Sequence, residues 1–459
     1  MGTRRASKRS ARPDNRLALA DEALLAEHHA AGMNVVIQVT WLYDRPADLA
    51  GIRRFHHFLG QGLLGRRIER PALPIARHRW VVDRGHSDIA ESTRPRAEFA
   101  NWVDERSQLP VNAESGPGWH VGVVSLDDGS TGVSLVLSHN LIDGLGLALV
   151  IVEGVLGKSR DLGYPPPLSR TRLRALGEDV RQTARDVPDA ARALVTALKS
   201  ARKQSRTKAE GTRSPAPRPA PTTAVGVDDV VLVPALTIFV DLDEWDARAE
   251  SLGGASHTLA AAFAAKFGER IGRVRADDGA VTLQVPISDR TSVDDTRAMA
   301  LSYARVTIDP TQATTDLREI RAAVKKSLTD LKQTPEESKQ LLWLPSFVPK
   351  RMLKQMVARA PADPDQPVFS SYLGDLSSLI SQADGTVAAY ANARTTGQRE
   401  SRQLLERTGG RTVILSGRIS GKIFISVGAY QPGAENTTCA LRELAAKTLT
   451  DFGLTGEIH

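Results

Sequence analysis

Two periods of apolar and polar residues alternate along this chain, and each predicts its own kind of element. Helical spacing over residues 16–30 gives way to alternation in Asn34–Tyr43 (NVVIQVTWLY), which reads as a strand. A second helix is expected after Asp48, reaching about Leu64. Residues 120–126 and 132–138 form two apolar strand patterns joined by Asp127-Asp128-Gly129-Ser130, a hairpin signal, and residues 144–155 return to helical character. Leu173, Leu176, Val180, Val187, Leu194 and Leu198 are spaced by threes, fours and sevens on a charged background. They predict an amphipathic helix within 168–203, broken near Pro188.

Pro215, Pro217, Pro219 and Pro221 mark residues 209–223 as an extended linker. Beyond it a second mixed unit begins, with strands at 230–240 and 280–287 around a helix at 258–271. A helix at 314–332, a strand near 368–372, a hairpin of 412–418 with 422–429 across Ser420-Gly421, and a helix at 435–451 complete it. Both halves mix strands and helices without strict βαβ alternation, so the fold class is α/β but not a doubly wound sheet. The organisation expected is a basic arm at 1–16, a first lobe at 17–158, a helix and linker at 159–228, and a second lobe at 229–459.

A length of 459 residues suits two or three units, and 41% hydrophobic with 25% charged residues excludes global disorder. The net charge of +7 is unevenly spread. Residues 1–16 hold six Arg or Lys against Asp14, and residues 199–218 hold seven against Glu210, which leaves the rest of the chain net acidic. A basic nucleic-acid-binding face is therefore not indicated. Such segments are usually solvated tails; attraction to anionic lipid is the sharper alternative. Cys439, the single cysteine, makes no internal disulfide, and no Cys/His cluster suggests zinc. With neither a secretion signal nor a spanning apolar stretch, a cytoplasmic protein is expected.

The stretch with most chemistry in it is Ser138-His139-Asn140-Leu141-Ile142-Asp143-Gly144, at the end of a strand and the opening of a helix. His139 is its one plausible general base, because an imidazole titrates near neutrality and a carboxylate such as Asp143 is too weak to take an alcohol's proton. On the residues alone, His139 is either that base or a structural histidine at a strand end. The pairs His28-His29 and His56-His57 lie within expected helices and read as structural.

This segment resembles the His-His-x-x-x-Asp-Gly signature of the CoA-dependent acyltransferase superfamily, which includes peptide-synthetase condensation domains and, nearest in appearance, bacterial wax ester synthase/diacylglycerol acyltransferases. Accompanying matches are Arg66-Arg67-Ile68-Glu69-Arg70, Val285-Pro286-Ile287-Ser288-Asp289-Arg290 and Ser370-Ser371-Tyr372-Leu373-Gly374-Asp375, so the resemblance spans roughly residues 17–455 without the linker. It implies two chloramphenicol-acetyltransferase-like lobes with the active site in a tunnel between them. It also implies His139 as base, Asp143 as a structural carboxylate paired across the lobes with Arg290, and Ser138, Gly144, Ser371 and Gly374 as substrate-binding positions. Ser138 stands where the signature has its first His, a residue that is not the proton acceptor in that family.

The activity so implied is transfer of a fatty acyl group from acyl-CoA to a hydroxyl acceptor such as diacylglycerol or a long-chain alcohol. No Gly-x-Ser-x-Gly elbow and no cysteine beside His139 suggest an acyl-enzyme. No metal or prosthetic group is expected, CoA being a substrate. A lipid acceptor would arrive from a membrane or droplet surface, with the basic arm, the amphipathic helix and the basic linker as docking elements. Two alternatives stay open: a condensation-type transferase using carrier-protein substrates, and a noncatalytic acyl-lipid-binding relative.

Overall fold

The computed structural model describes residues 14–83, 85, 88–188, 191–192, 229–333, 350–359, 362–363 and 365–459. Most of the basic arm, the basic linker with its prolines, and Leu194 and Leu198 lie outside these residues.

The fold is mixed α/β with two lobes, each built on its own sheet. In the first, Asn34–Tyr43 is flanked antiparallel by Thr131–Ser138, the second arm of a hairpin begun by Trp119–Leu126, and Ala90–Arg94 closes that edge. On its other side Asn34–Tyr43 pairs with Tyr390–Gln398, from the distant second half of the chain, in the register Asn34↔Gln398 to Leu42↔Tyr390. The seven-stranded second sheet runs Leu301–Ile308, Val281–Ser288, Val368–Asp375, Arg411–Ile419, Lys422–Tyr430, Ala235–Asp241, Glu457–Ile458. Each sheet carries its own apolar core, one around Trp41, Phe55 and Trp119, the other around Trp245, Phe263 and Phe452.

Local chemistry explains several boundaries. The hairpin of Arg411–Ile419 with Lys422–Tyr430 turns on Ser420 and Gly421, both at positive φ, as a two-residue loop matched to strand twist requires. The strand expected over 230–240 is two, Val230–Val231 and Ala235–Asp241. Between them lies Pro234, which has no N–H to give a ladder. The second helix, expected to about Leu64, ends at Leu59, before Gly60.

The helix expected within 168–203 exists over 172–188, and the chain stays helical through Pro188, where a break was expected. Its apolar row faces outward: Leu173 is 85% exposed, and Leu176, Val180 and Val187 are exposed as well. Docking is through the opposite face, where buried Asp179 accepts from the Ala72 and Leu73 amides and pairs with Arg79 and Arg170. Among the described residues, no helix is long and apolar enough to cross a membrane.

Candidate active site

Strand Thr131–Ser138 ends against the first residues of Asn34–Tyr43, and the chain then turns sharply. The His139 amide donates to Val35 O at 2.9 Å and the Leu141 amide to Ser138 O at 3.0 Å, while Leu141 and Ile142 are fully buried and anchor the turn in the first core. Asp143 caps helix Gly144–Val155, its Oδ1 accepting from the Gly146 amide at 2.8 Å.

Asp143 and Arg290 meet across the two lobes. Arg290 Nη2 lies 2.8 Å from Asp143 Oδ2 and Nε 3.2 Å from Oδ1, and Oδ2 also accepts from the Ala300 amide at 3.0 Å. The same guanidinium donates to the carbonyls of Asp295 and Arg297. One ion pair thus holds both the turn after His139 and the loop between Val281–Ser288 and Leu301–Ile308. The approach is close enough to demand glycine: a Cβ on Gly146 would lie 2.9 Å from Arg290 Nη2 and 2.6 Å from Ile142 Cγ1.

Between the lobes is a cavity of about 770 Å³, with His139, Gly144 and Ser371 on its wall. A Cβ on Gly144 would come 3.3 Å from Leu373 Cδ2, so a side chain there would narrow it. Val35, Ile37 and Val39 on one side and Val413, Leu415 and Ile419 on the other give the cavity a long apolar arm, reaching Ile380 and Phe424. Val35 to Val39 alone span about 14 Å at the rise of a strand. Glu27, His28, Arg273, Tyr303, Asp363 and Arg411 add polar groups to the same wall.

Burial holds the His139 imidazole below its ordinary pKa; its own carbonyl and the charge of Asp143 oppose this but do not prevail. The ring is neutral near pH 7. Its Nδ1 is sealed from solvent, which leaves Nε2 as the nitrogen available to a substrate. With Asp143 bound to Arg290, the carboxylate anchors the turn that carries His139.

Ser138 and Gly374 are not on the cavity wall. Ser138 is fully buried, its hydroxyl donating to Asn34 Oδ1 at 3.1 Å. Gly374, at φ +75°, sits in a register shift of strand Val368–Asp375 and serves the backbone there. Two residues given no chemistry by the sequence reading stand at the site. Buried Arg66 stacks 3.9 Å over Trp80 and donates to Leu141 O, in the His139 turn, and to Thr296 O, in the opposite loop. His28, read as structural, is on the cavity wall. The signal for it was present: Leu24, Glu27, His28 and Ala31 share one face of helix Leu19–Ala31, and charged or titratable groups on such a face are unusual.

No family model and no curated protein matches the sequence. Solved structures do match in fold. The first condensation domain of the calcium-dependent antibiotic synthetase, in complex with a substrate analogue, is 15% identical with a TM-score of 0.57, over 96% of this chain and 100% of that one. The epimerization domain from the third module of tyrocidine synthetase B is 14% identical with a TM-score of 0.51, over 98% and 99%. The fold is therefore the two-lobed fold of condensation domains.

Proposed function

We propose that this protein is an acyltransferase that moves a fatty acyl group from acyl-CoA to a hydroxyl acceptor. The observation that carries the reading is a neutral imidazole, His139, on the wall of an interlobe cavity, with the carboxylate four residues on already committed to Arg290. In the reaction His139 Nε2 takes the hydroxyl proton as the oxygen attacks the thioester carbon. The tetrahedral intermediate collapses with cleavage of the C–S bond, and the imidazolium returns the proton to the departing thiolate. General-base action of this kind contributes about 100- to 10,000-fold, and the positioning of two substrates in one cavity much of the rest.

The long apolar arm suits an acyl chain, and a long-chain alcohol or diacylglycerol as acceptor. Such acceptors reside in membranes or droplets. The outward row Leu173, Leu176, Val180 and Val187, with Arg172, Arg174, Arg181 and Arg185 on the same helix, fits a peripheral contact with an anionic surface. Deleting residues 1–16 and 199–218 should weaken binding to anionic vesicles; unchanged binding would remove those basic segments from the account. The likeness to condensation domains favours a second reading, transfer from a carrier protein.

The test is acceptor-dependent thiol release. The full chain is given acyl-CoAs of graded length with and without long-chain alcohol or diacylglycerol, with products read by mass spectrometry. Ester formation matched to thiol release is expected. Release from an acyl carrier protein but from no acyl-CoA would overturn this reading in favour of the second.

A further inference from the structure

The apolar arm of the cavity runs up against residues that take no part in the chemistry. Along strand Asn34–Tyr43 the inward row Val35, Ile37 and Val39 lies on the wall. Trp41, next in that row, is fully buried, and its indole nitrogen donates to Ile380 O at 2.6 Å, so the indole packs against the segment that brings Ile380 to the wall. On the paired strand Tyr390–Gln398 the wall runs from Thr395 to Ala391, the residue opposite Trp41. Asn392 there gives its amide nitrogen to Thr237 Oγ1 at 2.6 Å.

The second sheet contributes to the same place. In strand Arg411–Ile419 the alternate residues Arg411, Val413, Leu415 and Ile419 are on the wall, and Gly417 interrupts the row. Gly417 pairs in register with Phe424, and a Cβ on it would lie 2.9 Å from Phe424 Cε1 and 3.2 Å from Leu376 Cδ1. The Phe424 ring therefore fills the space that a side chain at position 417 would take, and it meets Leu376 there. Phe424 is itself buried, so close packing holds the ring in that notch.

We propose that Phe424, seated over Gly417 and flanked by Leu376, Ile380 and Ile419, is the stop of the arm and sets the acyl chain length that the protein accepts. This rests on the acyl-transfer reading and names the length class of its donor. His139 is held at the level of Val35 through its amide. From Val35 the strand runs about 14 Å to Val39 and about 20 Å to Trp41. An extended chain takes about 1.25 Å per methylene, from a C–C bond of about 1.5 Å, so these lengths hold roughly 11 to 16 carbons. Within that span each added methylene is buried, and affinity rises about fourfold for each. Beyond it the chain meets an aromatic ring that has no free space to move into.

The experiment titrates the full chain by calorimetry with a series of alkyl-CoA thioethers from octyl to eicosyl, which carry no carbonyl and undergo no transfer. Wild type, Phe424→Leu, Phe424→Ala and Ala393→Leu are compared, with melting curves to confirm folding. Wild-type affinity should climb with length and break between dodecyl and hexadecyl. Phe424→Leu should move the break to longer chains and Phe424→Ala further still, while Ala393→Leu, which narrows the arm opposite Val39, should move it to shorter ones. Phe424→Leu keeps an apolar side chain in the core, so the test stands if Phe424→Ala does not fold. A wild-type affinity that climbs through eicosyl, a break unmoved in Phe424→Leu and Ala393→Leu, or no binding at any length would overturn the stop. Failure of the acyl-transfer reading is separate, and shows as a break that moves as expected with no thiol release from the matching acyl-CoAs.

Discussion

Cutting the Asp143–Arg290 pair tests how the site is held together. Asp143 is 0% exposed and accepts four hydrogen bonds, two from Arg290 and one each from the amides of Gly146 and Ala300. Arg290→Met leaves that carboxylate buried without its cation, a change that costs about 3–5 kcal/mol in comparable settings. The two amides remain, so the lower end of that range is expected. Asp143→Asn keeps a cap for helix Gly144–Val155 but leaves Arg290 among the carbonyls of Asp295, Arg297 and Ala298. In the double variant no charge is stranded, so its loss should fall short of the summed singles by about 2 kcal/mol. Chemical denaturation of all four proteins measures this, with hydrogen exchange over residues 139–147 and 289–300 showing whether loosening is local. Additive losses, or single losses under about 0.5 kcal/mol, would refute the claim that this pair couples the lobes.

Other outcomes follow from the same geometry. Because burial lowers the His139 pKa, the acid limb of kcat/KM should have its midpoint below the ordinary 6.5, and a midpoint above it would contradict a buried neutral base. The matching contribution to stability is complete above 6.5 and lost as pH falls through the lowered value, to be read from denaturation at graded pH. Restoring the signature with Ser138→His should not raise thiol release: the position is fully buried, so a larger ring would overpack it at about 1–3 kcal/mol, and a faster enzyme would show that the first His is needed. Gly146→Ala should reproduce much of the Arg290→Met defect in denaturation and turnover, since its methyl would displace the guanidinium.

Elements that declare themselves locally were legible in the sequence. Asn34–Tyr43 and the hairpin after Trp119 show apolar runs bounded by turn residues, and helix Gly144–Val155 is announced by its Asp143 cap. Strand Tyr390–Gln398 was not legible, because it has no apolar alternation: Arg394 is held by Gln38 at 2.7 Å and lies 2.7 Å from Asp104, partners more than 280 residues away in sequence. The docked side of helix 172–188 was not legible for a related reason. Periodicity reveals an apolar face, whereas here Asp179 and its arginines decide which side is docked. At the site, His139, Asp143 and Arg290 could be named from a motif and its companions. Arg66 and His28 act through tertiary placement, and only the helix face shared by Glu27 and His28 hinted at it.

The central claim, that the imidazole of His139 is the base for acyl transfer, is tested most directly by comparing acceptor-dependent thiol release from acyl-CoA by wild type and His139→Ala. A loss of at least about 100-fold with acyl-CoA binding retained is expected, and equal rates in the two proteins would contradict it.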